Sequence, residues 1–118
     1  MNEEELKERT KRFALRIIKL VDSLPKTTVR RTIGNQLVRC GTTVGANYRS
    51  ACRGRSKADF IYKLGIVVEE ADESEFCLKL LIDGKIIKRE LVEPLLKEAG
   101  ELTAIFISSV NTAKKRNR

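Results

Sequence analysis

Residues 27–57 read TTVRRTIGNQLVRCGTTVGANYRSACRGRSK, and the spacing of their apolar side chains decides the fold. Val29, Ile33, Leu37, Cys40, Val44, Tyr48 and Ala51 recur at steps of 4, 4, 3, 4, 4 and 3, a sustained seam of helical period. Val29, Cys40 and Ala51 repeat at eleven residues, as do Ile33 and Val44, a period that keeps a seam nearly straight. Beside it runs a line of small residues, Gly34, Gly41 and Gly45, where another helix can come close. Between the two lies a polar stripe of Gln36, Arg39, Thr43, Asn47 and Ser50. Three faces on one helix imply three neighbours, so the stretch predicts the central member of a helical assembly.

Working outward, the rest of the 118 residues fits one all-α domain. A first helix is expected at about 4–24, with Leu6, Phe13, Ile17, Leu20 and Leu24 as its stripe, broadened by Ala14, Ile18 and Val21. Glu3, Glu4 and Glu5 suit its positive end, and Pro25 stops it. Thr27 or Thr28 caps the second helix, about 27–53, roughly 40 Å long, which Gly54 ends. Ser56 followed by Asp59 starts a third at about 57–82, with Phe60, Leu64, Val67, Ala71, Leu78 and Leu81 as its seam and Ser74 filling the gap. Gly84 is the expected left-handed stop. A fourth helix is expected at about 90–113, burying Leu91, Leu95, Leu102, Ile105, Phe106 and Val110. Pro94 must then fall in its first turn, moving the start later than Glu90. Residues 114–118 form a frayed basic tail. Short turns make this an antiparallel up-down-up-down four-helix bundle.

The net charge of +8 is unevenly placed. Residues 1–57 carry 14 Lys and Arg against 5 Asp and Glu, whereas residues 58–118 carry 10 against 11. One half attracts polyanions or the other half of a neighbouring copy. No apolar run approaches the roughly 20 residues of a membrane span, and the charged N-terminus has no signal core. Cys40, Cys52 and Cys77 are odd in number and lack close spacing, which favours free thiols and a cytoplasmic location.

The runs FALRIIKLVDSLP (13–25), QLVRCGTTVGAN (36–47) and GRSKADFIYKL (54–64) resemble the four-helix-bundle family of 23S ribosomal RNA intervening-sequence proteins. The likeness extends from about Phe13 to Lys114 and rests on small residues and one asparagine. It implies a bundle that assembles as a ring, a pentamer in particular. The family is similar in turn to the accessory proteins of diversity-generating retroelements, basic pentameric bundles that bind nucleic acid and a reverse transcriptase. One departure stands out. Many members continue the asparagine as N-I-A-E-G, where this chain has Asn47-Tyr48-Arg49-Ser50-Ala51. No role of that glutamate carries over.

The site candidates follow from chemistry. Arg49, Arg53, Arg55 and Lys57 cluster at the end of the second helix, and Arg30, Arg31 and Arg39 precede them. The guanidinium fork suits phosphate and carboxylate alike, so contact with nucleic acid competes with ion pairing to Glu69, Glu70, Asp72, Glu73 and Glu75. Gly34, Gly41, Gly45, Asn47, Glu70 and Glu73 are the candidates for helix packing or subunit contacts, with Asn47 a buried amide that sets register. The glycines lack the strand context and G-K-[ST] ending of a phosphate loop. Without histidine, the acidic run makes a poor metal site and the cysteines poor nucleophiles, so no metal, cofactor or enzymatic activity is expected. The four phenylalanines read as core, leaving binding of RNA or DNA to backbone contacts. The expectation is a homo-oligomeric, non-enzymatic bundle that binds structured RNA; the alternative is a self-assembly or protein-binding scaffold.

Overall fold

The computed structural model describes residues 1–116 of the chain. Four helices follow one another: α1 (Glu3–Asp22), α2 (Thr28–Cys52), α3 (Lys57–Asp83) and α4 (Arg89–Lys115). Each packs antiparallel on its sequence neighbour and α4 closes back on α1, giving an all-α up-down-up-down bundle about 50 Å long and 21 × 20 Å across. No described helix is long and apolar enough to cross a membrane.

Local chemistry sets the ends. Asn2 Oδ1 accepts from the Glu5 amide at 2.8 Å, and the Glu5 carboxylate returns the bond to the Asn2 N–H at 3.0 Å. That capping box starts α1 before the acidic turn can. Ser23 ends it, and Leu24 folds back into the core instead of extending the helix to Pro25. Thr27 caps α2 and Ser56 caps α3 through their side-chain oxygens. The turn after α3 departs from expectation. Gly84 keeps a right-handed φ of −77°, and Lys85 takes the left-handed position at φ 56°. The Ile86 amide then reaches back to the Leu81 carbonyl at 3.0 Å, closing the end as a Schellman-type turn does.

Helix α4 begins at Arg89, so Pro94 lies in its second turn rather than its first. Pro94 is exposed, and the carbonyl it leaves without an amide donor faces solvent. At the other end α4 runs on through Lys114 and Lys115, whose charges suit a helix C-terminus. Arg118, at the end of the expected basic tail, lies outside the described residues.

The core follows the predicted seams: Phe13 and Ile17 from α1, Leu37, Cys40 and Val44 from α2, Leu64, Leu78 and Leu81 from α3, Leu102 and Phe106 from α4. The Tyr48 and Phe106 rings meet at 5.2 Å, tilted 48°, tying α2 to α4 across the bundle. Four expected core residues are not there. Val29 is 57% exposed because Gly34 already meets Val21 and Leu24 at the end of α1, so the first turn of α2 projects beyond its neighbour. Leu91 (64% exposed) yields its place to Val92, Phe76 (60%) yields to Cys77 and Leu78, and Ile18 (45%) lies outside the stripe of Phe13 and Ile17. Thr10, which apolar periodicity passes over, is fully buried; its hydroxyl donates to the Leu6 carbonyl at 2.8 Å.

Candidate nucleic-acid interface

The small-residue line of α2 faces α1. A Cβ on Gly41 would lie 2.9 Å from Ile17 Cγ1, one on Gly34 would lie 2.9 Å from Val21 Cγ1, and one on Gly45 would lie 3.1 Å from Thr10 Oγ1. These glycines therefore serve close helix packing within the chain. With α1 on that side and α3 on the other, the remaining face of α2 looks outward. Arg31, Arg39, Arg49 and Arg53 are all exposed and fall within about 80° of one another at 3.6 residues per turn. The stripe they make extends about 33 Å along the helix, and α2 contains no Asp or Glu.

Within the chain, the ion pairing expected at the end of α2 does not form among the described residues. The acidic run of α3 meets α2 at mid-length, where Glu73 accepts from Arg39 at 3.0 Å and from the Gln36 amide. Arg49 and Arg53 lie further along α2, and among the described residues neither forms an ion pair. Glu70 is half-buried, and its Oε2 is buried with no hydrogen-bond partner. Asn47 is half-buried, not enclosed, and its side chain makes no hydrogen bond among the described residues. Arg30 turns inward at the α1–α2 end, its NH1 3.4 Å from Thr27 Oγ1 and its Nε buried without an acceptor. The seven predicted cations thus form no single cluster: Arg30 and Arg31 sit at one end, Arg39 at the middle, and Arg49, Arg53, Arg55 and Lys57 at the other.

Topology adds to both ends what the order of residues hides. Antiparallel packing carries the last turn of α4 to the start of α3, so Arg116 and Lys57 line one groove together. Lys114 and Lys115 share that turn. At the opposite end, Lys85, Lys88 and Arg89 line one hollow at the α3–α4 connection, and Lys26, Arg30 and Arg31 line another at the α1–α2 connection. Phe60, taken from the sequence as core, is half-buried and forms a wall of the groove beside Lys57. The signal that could have found these residues was the pairing of chain ends that four antiparallel helices require.

No group of three or more His, Cys, Asp or Glu comes together among the described residues to hold a metal ion. The three thiols are free. Burial pushes the Cys77 thiol up to about 11 and raises those of Cys40 and Cys52 above the usual range.

An antiparallel four-helix bundle with a basic outer stripe and cationic ends defines the class of this molecule. Within that class, the chain belongs to the family described as 23S rRNA-intervening sequence protein, whose model matches residues 2–108. It is also similar to the crystal structure of a protein of unknown function from the S23 ribosomal protein family of Bacteroides thetaiotaomicron. The two are 35% identical with a TM-score of 0.84, over 94% of this chain and 99% of that one. No curated protein matches.

Proposed function

We propose that this chain is a non-enzymatic, self-associating bundle that binds nucleic acid, structured RNA in particular, through the arginine face of α2 and the cations at its C-terminal end. The observation that carries the reading is the exposed stripe of Arg31, Arg39, Arg49 and Arg53 on a helix without acids, of which Arg39 alone is ion-paired among the described residues. Such a surface neutralises phosphates without reading bases. The free thiols support a reducing compartment, and the cytoplasm is the location we propose.

Self-association has its own support. Tyr62, Phe76 and Leu80 are 69%, 60% and 37% exposed and lie within about 40° of one another on α3. Phe76 and Leu80, one turn apart, support an apolar contact on this face, and the family resemblance makes a pentameric ring the assembly to test.

Fluorescence-anisotropy titration of a structured ribosomal RNA fragment, duplex DNA and single-stranded RNA against salt tests the binding. Neutralising about four phosphates gives a log–log salt slope of about −3 to −4. Arg49→Glu with Arg53→Glu should reduce its magnitude by about 2 without changing the light-scattering mass. Undetectable binding at low salt overturns the RNA reading. A mass that collapses in the double variant, with no binding by the wild type, favours the scaffold, its arginines serving subunit contacts.

A further inference from the structure

The groove between the start of α3 and the end of α4 has a volume of about 550 Å³. Its apolar lining is made by the buried Ala113 and the half-buried Phe60. Lys57 and Arg116 stand at its rim, and Ser109 and Thr112 add hydroxyls one turn apart on α4. Ser109 Oγ already donates to the Ile105 carbonyl at 3.0 Å, so it faces the groove as an acceptor. Asp59 is the acid nearest in sequence to Lys57 and Phe60, and it is engaged by the Arg55 amide at 3.1 Å and by Lys63 at 3.3 Å. Those contacts hold its carboxyl below the usual range and offset its charge.

Two cations, an aromatic ring and two hydroxyls line the same groove. A planar ring on Phe60 and an anion between Lys57 and Arg116 would satisfy all of them at once. Arg53 and Arg55 lie four and two residues before Lys57, so the basic segment that ends α2 leads along the chain to the groove.

We propose that this groove takes one unpaired nucleotide of the bound nucleic acid, its base stacked on Phe60, its phosphate held by Lys57 and Arg116, and its ring edge facing Ser109 and Thr112. This rests on the nucleic-acid reading above and sharpens it: the preferred RNA carries a bulge or a single-stranded end, not a blunt duplex. Stacking is tolerant of base identity, because every base has a π face.

The test uses the full chain and two RNA duplexes, one blunt and one with a single-stranded end carrying 2-aminopurine, whose emission falls when it stacks. The wild type should quench the unpaired 2-aminopurine and bind that probe more tightly than the blunt one. Phe60→Leu keeps an apolar side chain against the core; it should abolish the quench and weaken the overhang probe about five- to hundredfold, leaving the blunt duplex unchanged. Thr112→Val, at an exposed position outside the core, should weaken the overhang probe alone. Equal binding of both probes, or a quench that survives Phe60→Leu, overturns the groove proposal while the basic-surface reading stands. Failure of the wild type to bind either probe at low salt overturns both. Tight binding of free 2-aminopurine riboside 5′-monophosphate with no preference for the overhang would show a free-nucleotide site and overturn the strand assignment.

Discussion

Arg9 grips Glu98 with a two-pronged bond: Nε and NH2 each reach one carboxylate oxygen at 2.7 Å. Glu101 takes a second bond from NH2 at 2.7 Å, and the Arg9 and Glu98 side chains are only 17% and 16% exposed. Glu98 is the main cause holding Arg9 more firmly in its charged form than usual, with Glu101 adding to it. The α1–α4 seam is the sparsest contact of the bundle, so this pair has much to do there. Glu98→Ala should lower stability by about 1.5–3 kcal/mol, read as the urea midpoint at constant m-value. Arg9→Lys in the otherwise unchanged chain should also lower it, because an ammonium cannot span both oxygens.

Two glycines should respond in opposite ways to the same substitution. Gly41→Ala places a methyl 2.9–3.3 Å from three atoms of Ile17, which is fully buried and has nowhere to move. Overpacking of about 1–3 kcal/mol outweighs the helix propensity gained, so the thermal midpoint should fall. At Gly65 nothing lies within 4 Å, and Gly65→Ala should stabilise by about 0.5–1 kcal/mol. A stabilised Gly41→Ala protein would contradict the close approach of α1 and α2.

Pro94 interrupts the second turn of α4 on its exposed side. Restoring the amide with Pro94→Ala should stabilise the chain by about 1–2 kcal/mol, part of the roughly 3 kcal/mol helix-propensity difference being offset by greater freedom of the unfolded chain. Amide hydrogen exchange of residues 90–95 should slow in the variant if the new bond to the Glu90 carbonyl forms.

The buried thiols set the alkaline limit. An unfolded cysteine ionises near 8.5, whereas burial pushes Cys77 up to about 11. The folded state therefore binds the proton more tightly. Its contribution is complete below about pH 8.5 and declines as pH rises toward 11. The urea midpoint of the wild type should fall across that window, and Cys77→Ala should flatten the decline. A pH-independent midpoint between 8.5 and 11 would show that the thiol is not shielded.

Helix number, order and most of the core were legible in residues 27–57 and their flanks, because periodicity records which side of a helix meets apolar neighbours. Leu37, Cys40, Val44 and Ala51 are buried where spacing put them, and the capping chemistry of Thr27 and Ser56 is local enough to read directly. Periodicity could not tell which apolar residues exceed what one bundle can cover. Phe76, Leu91 and Val29 satisfy a helical pattern yet lie outside, since burial depends on where the neighbouring helix begins and ends. The partners of charges were likewise invisible: register alone brings Glu73 to Arg39 and leaves Arg49 and Arg53 outward. What the sequence determined by itself was a basic, acid-free helix at the centre of an antiparallel bundle. Only the tertiary structure decided that its glycines face inward, that its arginines form an outer stripe, and that Lys57 and Arg116, 59 positions apart, border one groove around Phe60. Local periodicity has a range of a few turns, whereas that groove depends on the antiparallel return of α4 along α3.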